Sequence, residues 1–274
     1  MAEPLTIAGA GLAILGSKDI LNKLLGPTVE YLGEKTEGLV KKCDINLDRL
    51  FLKAYKKLGA RAEQPGAVNP RVLKQVVDEG RFIEDDLVAE YYGGVLAGSK
   101  SAMGDDDRGI YYLSLIKGLS AFQLRLHYST YLKMCTVYNK RDDKAFEKLY
   151  HRQSTQIRIP KPFLSDIFGS HHESQFDSIV LHAITGLREK LLIGKEAVLV
   201  DGLKHPKFRD LKGQGIIVSP TILGCDLFIW GNGFSHLSGT DINKLDIDKI
   251  KPLYDVSSIN IELPSPGTES DIQA

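Results

Sequence analysis

Between Glu84 and Leu132 the chain reads EDDLVAEYYGGVLAGSK, then an acidic turn SAMGDDDRG, then IYYLSLIKGLSAFQLRLHYSTYL. Apolar residues recur here at steps of three and four, the period of a helix with one buried face. Leu87, Val88, Tyr91, Tyr92, Val95 and Leu96 form one stripe, and Tyr111, Tyr112, Leu115 and Ile116 form the next. Gly118 breaks the second helix, and Ser120 is placed to cap a third carrying Phe122, Leu124, Leu126, Tyr128, Tyr131 and Leu132. Carboxylates at Glu84–Asp86 and again at Asp105–Asp107 suit helix N-termini, where the backbone dipole favours negative charge. A chain built around this stretch is committed to helix-on-helix packing.

Helical patterning extends to both sides. Leu39, Val40, Cys43, Leu47, Leu50, Phe51 and Tyr55 make a continuous apolar stripe over 34–58. The opposite side carries Lys41, Lys42, Arg49, Lys53, Lys56 and Lys57, a face open to solvent, phosphate or lipid headgroups. Asn69-Pro70 offers an N-cap followed by proline at the first helical position, opening a helix that ends at Gly80. The polar, basic stretch 139–162 reads as irregular or weakly helical, and helical pattern returns over Pro162–Ile167 and Phe176–Leu192. After Gly194 the texture turns to short β-favouring runs, Ala197–Val200 and Gly215–Val218, followed by an apolar helix ILGCDLFIWG stopped by Gly231-Asn232-Gly233. The expected fold is therefore mainly α. A helical N-terminal half, 1–104, precedes a winged-helix-like module with a small β-hairpin, 105–235. An extension, 236–262, and a polar, disordered tail, 263–274, follow.

Composition sets the outer limits. Basic and acidic residues balance at 35 each, so no global field draws the chain to nucleic acid or anionic lipid. Locally the balance fails: Asp78–Asp107 holds nine acidic against two basic residues, and Lys140–Lys161 seven basic against three acidic. Such a dipolar surface suits self-association or a charged partner, and equally two solvated faces. Cys43, Cys135 and Cys225 lie far apart without zinc spacing, which fits reduced core cysteines and a cytoplasmic location. The Gly-rich segment Pro4–Gly33 has no basic leader, and its apolar run of about 11 residues falls short of the ~20 that span a bilayer. It reads as a close-packing helix, with peripheral membrane contact through residues 4–33 as the sharper alternative. A phosphate-cradling loop is not expected there, because no strand precedes it.

No catalytic, cofactor or metal motif of any specificity stands out, so the chain is not expected to be an enzyme or to hold a cofactor. His171-His172 within Gly169–Glu173 are adjacent and face apart, whereas a zinc helix needs histidines four apart. Asp105–Asp107 lack the spacing of a calcium loop. Lys204, Lys207, Arg209 and Lys212, between the two β-runs, are the candidate phosphate or partner contacts, lying where a wing would meet DNA. The presumed reading helix Phe176–Leu192 offers only Arg188 and Lys190 as donors, beside Asp177 and Glu189.

DDLVAEYYGGVLAGSKS, DDRGIYYLSLIKGLSAFQLRL and GIIVSPTILGCDLFIWGNG together resemble the Abi-alpha (abortive infection) family of bacterial proteins, over roughly Leu21–Gly233. The resemblance implies a mostly helical bacterial protein linked to antiviral (anti-phage) defence, and brings no catalytic residues. The expected function is then non-enzymatic defence through self-association or protein-protein interaction. A winged-helix DNA-binding regulator is the alternative.

Overall fold

The computed structural model of the chain describes residues 23, 41–139, 152, 154–169, 174–201 and 214–263. It is mainly helical with a small antiparallel sheet. The N-terminal Gly-rich helix, the break at Gly26-Pro27 and the tail from 264 lie outside the described residues, as does the Cys43 side chain. The described residues pack as two units. One takes in residues up to Gly118 together with Ile229–His236; the other takes in Leu119–Phe228 and the residues from Leu237 onward. The expected boundary at 104 falls inside the first unit.

In the first unit, α1 (Lys41–Leu58) turns Leu47, Leu50, Phe51, Ala54 and Leu58 inward. Asn69 caps α2 (Pro70–Gly80) by accepting the Arg71 N–H, and Pro70 begins the helix. Asp85 caps α3 (Asp86–Gly98) by accepting the Leu87 and Val88 N–H groups. α3 is buried almost all round, from Leu87 through Gly98, and packs lengthwise on α1. A two-residue ladder joins β1 (Ala67–Val68) to β2 (Lys100–Ser101), and α4 (Gly109–Lys117) stops at Gly118 as expected. Residues 229–236 complete this unit. Trp230 stacks on Tyr112 at 4.5 Å between ring centroids, and the Arg108 guanidinium lies 5.2 Å over the Trp230 ring. A Cβ added at Gly94 would stand 1.8 Å from the Gly231 carbonyl oxygen, so only glycine permits this backbone-on-backbone approach.

Two charge expectations are corrected here. Asp105–Asp107 do not start α4, which has no side-chain cap and no acidic residue in its first turn. Asp105 accepts from the Ser101 hydroxyl, Asp106 from the Arg108 backbone and guanidinium, and Asp107 from Arg71. Three of the α1 cations are likewise only partly solvated, while Lys56 is exposed and the Lys41 and Lys42 side chains lie outside the described residues. Arg49 donates to the Ile83 carbonyl at 2.6 Å, Lys53 lies 2.9 Å from Asp86 and 2.5 Å from Glu90, and Lys57 lies 3.0 Å from Glu90. Burial opposes ionisation of Glu90, but the pull of Lys57 and Lys53 wins and holds its carboxyl below the usual value. Burial pushes Lys57 down against the pull of Glu90. With Lys74–Asp78 and Lys117–Glu79 also paired, most of the acidic excess at 78–107 is neutralised within the unit.

The second unit is built on α5 (Ala121–Tyr138). The Ser120 hydroxyl accepts the Gln123 N–H while the Gln123 side chain accepts the Ser120 N–H, a reciprocal cap. Around it follow β3 (Gln156–Pro160), α6 (Lys161–Phe168), α7 (Phe176–Glu189), β4 (Val198–Asp201), β5 (Gln214–Val218), α8 (Ile222–Gly231) and β6 (Asn260–Glu262). The strands run antiparallel in the order β4-β5-β3-β6. The expected hairpin is β4-β5. β3 corrects the reading of 139–162 as irregular or weakly helical at 156–160, most of the rest lying outside the described residues: Ile157 and Ile159 are buried while Gln156, Arg158 and Pro160 are half-exposed, a period of two too short to stand out beside a basic run. Cys135 and Cys225 are free and fully buried in this unit, as expected of core cysteines.

Three substitutions probe the first unit. Gly94→Ala places a methyl group against a carbonyl that cannot swing away, and should lower unfolding free energy by about 2–3 kcal/mol in urea titration. Glu90→Gln takes the carboxylate from Lys57, 17% exposed, and leaves Lys53, 14% exposed, with Asp86 alone, and should cost about 2 kcal/mol. Asp86→Asn, at a carboxylate 58% exposed, should cost less than about 1 kcal/mol in the same titration.

Candidate docking face

Helix α7 is seated by its apolar side. Phe176, Ile179, Val180, Ala183, Ile184 and Leu187 are buried at helical spacing. Gln123, at the start of α5, fixes the helix along its length: its amide donates to the His182 carbonyl at 3.3 Å, and a Cβ at Gly186 would fall 2.0 Å from the same nitrogen. Ser120 adds a contact to the His182 ring at 3.0 Å. α7 is thus held by a cap whose residues serve two helices at once.

The opposite side faces solvent, with Asp177, Ser178, Leu181, His182, Thr185 and Glu189 exposed. Leu181 is 53% exposed, a large apolar side chain between two acidic positions on one stripe. Among the described residues neither Asp177 nor Glu189 has a cation partner. Arg188, a candidate donor in sequence, turns its guanidinium to the Lys195 and Ala197 carbonyls at 3.4 Å each, supporting the approach to β4. Lys190 is half-buried at the helix end. The face therefore presents carboxylates, hydroxyls, the His182 ring and one leucine, and no lysine or arginine along its stripe. Sequence reasoning noted Asp177 and Glu189 but missed Leu181, whose exposure is decided by the seating of the helix rather than by its neighbours in the chain.

Lys204, Lys207, Arg209 and Lys212 lie outside the described residues, between β4 and β5, so the structure does not bring them to this face or keep them from it. His171 and His172 also lie outside them. Among the described residues no group of His, Cys, Asp and Glu is arranged to hold a metal ion.

Past the end of α7 a cavity of about 610 Å³ opens between Leu191–Glu196 and Ser219–Ile222. Arg152, Lys195, Glu196 and Ser219 also line it, while the Leu191 carbonyl and the Thr221 hydroxyl are engaged internally. Leu191 adopts φ +57°, which directs its carbonyl to the Thr221 hydroxyl at 2.7 Å. That hydroxyl accepts the Gly224 N–H at 3.0 Å and so caps α8. The buried Tyr131 hydroxyl donates to the Leu192 carbonyl at 2.6 Å and accepts the Thr221 N–H at 3.0 Å. Below it, His127 is wholly buried with Nε2 3.0 Å from the Gly224 carbonyl, an acceptor, so that nitrogen carries the proton. Burial pulls the His127 pKa down to about 3 against that hydrogen bond, and burial pushes the Cys135 and Cys225 thiols up. These groups stay neutral and hold the core; none is poised as a base or nucleophile.

Comparison with family models, with curated proteins and with solved structures found no match for the chain.

The buried histidine makes stability depend on acid. In the folded chain His127 titrates near 3 and unfolded near 6.5, so the unfolded state takes up the proton first. Its contribution is fully present above pH 6.5 and is lost as pH falls toward 3. Between pH 7 and pH 5 wild type should lose about 2 kcal/mol more unfolding free energy than His127→Gln, measured by urea titration at both pH values.

Proposed function

We propose that this chain is a non-enzymatic, cytoplasmic protein of the abortive-infection type of anti-phage defence, acting by self-association or partner binding through the exposed face of α7. The bacterial defence context comes from the sequence resemblance to the Abi-alpha family. The observation that carries the docking mode is the face itself, whose stripe sets Leu181 among Asp177, Thr185 and Glu189. DNA would meet like charge there, since affinity for a duplex rests on cations that neutralise phosphates. A protein surface can instead bury the leucine and pair the carboxylates.

The succession helix, strand, helix, helix, strand, strand from α5 to β5, with β5 between β4 and β3, supports a winged-helix-like module used for docking. Two free, buried cysteines fit a reducing compartment. Among the described residues no helix is long and apolar enough to cross a membrane; peripheral contact through residues 4–33 belongs to the same proposal.

The competing reading is a DNA-binding regulator in which Lys204, Lys207, Arg209 and Lys212 of the β4–β5 connection grip the backbone. Fluorescence anisotropy with a labelled duplex separates the two. The docking mode expects no saturable binding at micromolar protein in physiological salt. Saturable binding with a log–log salt slope near about −3.6, as four phosphate contacts would give, and abolished by Lys204→Glu, Lys207→Glu and Arg209→Glu together, would replace the docking mode with the regulator.

A further inference from the structure

We infer that the α7 face is filled by residues 202–213 of a second copy of this chain. The inference rests on the docking reading above and names the occupant. The face and the segment are complementary in charge and in apolar pattern. Along α7, Asp177 and Glu189 flank Leu181, and none of the three is engaged by a charged partner among the described residues. The segment GLKHPKFRDLKG sets Phe208 between Lys207 and Arg209, with Lys204 and Lys212 farther out and Asp210 as its one acid.

The dimensions agree. From Asp177 to Glu189 the stripe runs about 18 Å at 1.5 Å per residue. Twelve residues in extended form reach about 40 Å at most, so the segment can follow the stripe with length to spare. The apolar pair supplies the buried centre of a small interface, and the charge pairs form its rim.

Each copy carries one such face and one such segment. A reciprocal exchange satisfies both faces and both segments in a closed two-fold pair, the commonest symmetry of soluble assemblies. The whole chain balances 35 basic against 35 acidic residues, so no long-range repulsion opposes the encounter of two copies. Charge pairs at an exposed rim are screened by salt, so the association weakens as ionic strength rises.

A charge exchange tests this. One variant carries Asp177→Lys and Glu189→Lys; a second carries Lys207→Glu and Arg209→Glu. Both sites of substitution leave the buried positions of α7 untouched, and circular dichroism with thermal unfolding checks that each variant folds as wild type does. Sedimentation equilibrium should find a concentration-dependent dimer for wild type. Each variant alone should dimerise at least about 10-fold more weakly, because its face and its segment then carry like charge. An equimolar mixture should dimerise as wild type does, because both faces of the mixed pair regain an opposite partner.

A wild-type chain that stays monomeric across the accessible concentration range overturns the inference, and so does a dimer indifferent to both variants. Variants that weaken association without rescue on mixing overturn it as well, because the weakening then does not come from the face pairing with the segment. In each of these cases the docking reading is judged separately, by whether the duplex binds.

Discussion

Direct contact between two stretches of backbone underlies the first unit. Gly94 in the middle of α3 meets the Gly231 carbonyl with no side chain between them. Everything around that contact follows from its closeness. Tyr91 lies against Gly231, Ser235 donates to the Gly98 carbonyl at 2.6 Å, and Arg61 donates to the Gly233 carbonyl at 2.8 Å. Trp230 is thereby delivered to Tyr112, where stacking and the Arg108 guanidinium cover it. Interiors of this density do not stretch, so a methyl group at the contact is felt by α3, by the 231–233 turn and by the indole together.

Charges are matched inside both units, Arg158–Glu262 and Lys244–Asp241 among them, and the α7 face is the exception. In the first, carboxylates and cations that look abundant in sequence are largely matched with each other, through Lys53, Lys57, Lys74, Lys117, Arg71 and Arg108. Little is left over to address a partner. In the second, Arg188 is turned inward to carbonyls while Asp177 and Glu189 stay in solvent. Net charge is therefore a poor guide to where this chain can make contacts. What matters is which charges folding leaves without an intramolecular counterpart.

Helix starts were legible because capping is local chemistry. Asn69 and Ser120 each satisfy donors two or three residues ahead and can be named without knowing the fold, while Asp85, read only as one of three first-turn carboxylates, proves to be the cap. The β4-β5 hairpin and α8 were legible for a similar reason, as apolar runs bounded by glycine and proline. β3 and β6 were not, since each has at most two apolar positions and is specified by its partner across the sheet. Asp105–Asp107 were misread because the turn gives Asp105 and Asp106 the near partners Ser101 and Arg108, while Asp107 meets the distant Arg71; Lys53 and Lys57 likewise meet Glu90, more than thirty residues away. The docking face was half legible: its acids could be seen, while the exposure of Leu181 and the inward turn of Arg188 depend on how Gln123 seats the helix.

That the first unit borrows Ile229–His236 has a consequence for how it is made. A ribosome completes α1 to α4 well before it reaches the piece that lies on Gly94 and Gly98. At about 5–20 residues per second the intervening Leu119–Phe228 takes roughly 5–20 s to synthesise. Throughout that interval the nascent unit has small-residue backbone and the Tyr112 ring where Gly231 and Trp230 will later sit. The contacts of α3 with Gly231 and Ser235 are therefore among the last of this unit to become possible as the chain is made.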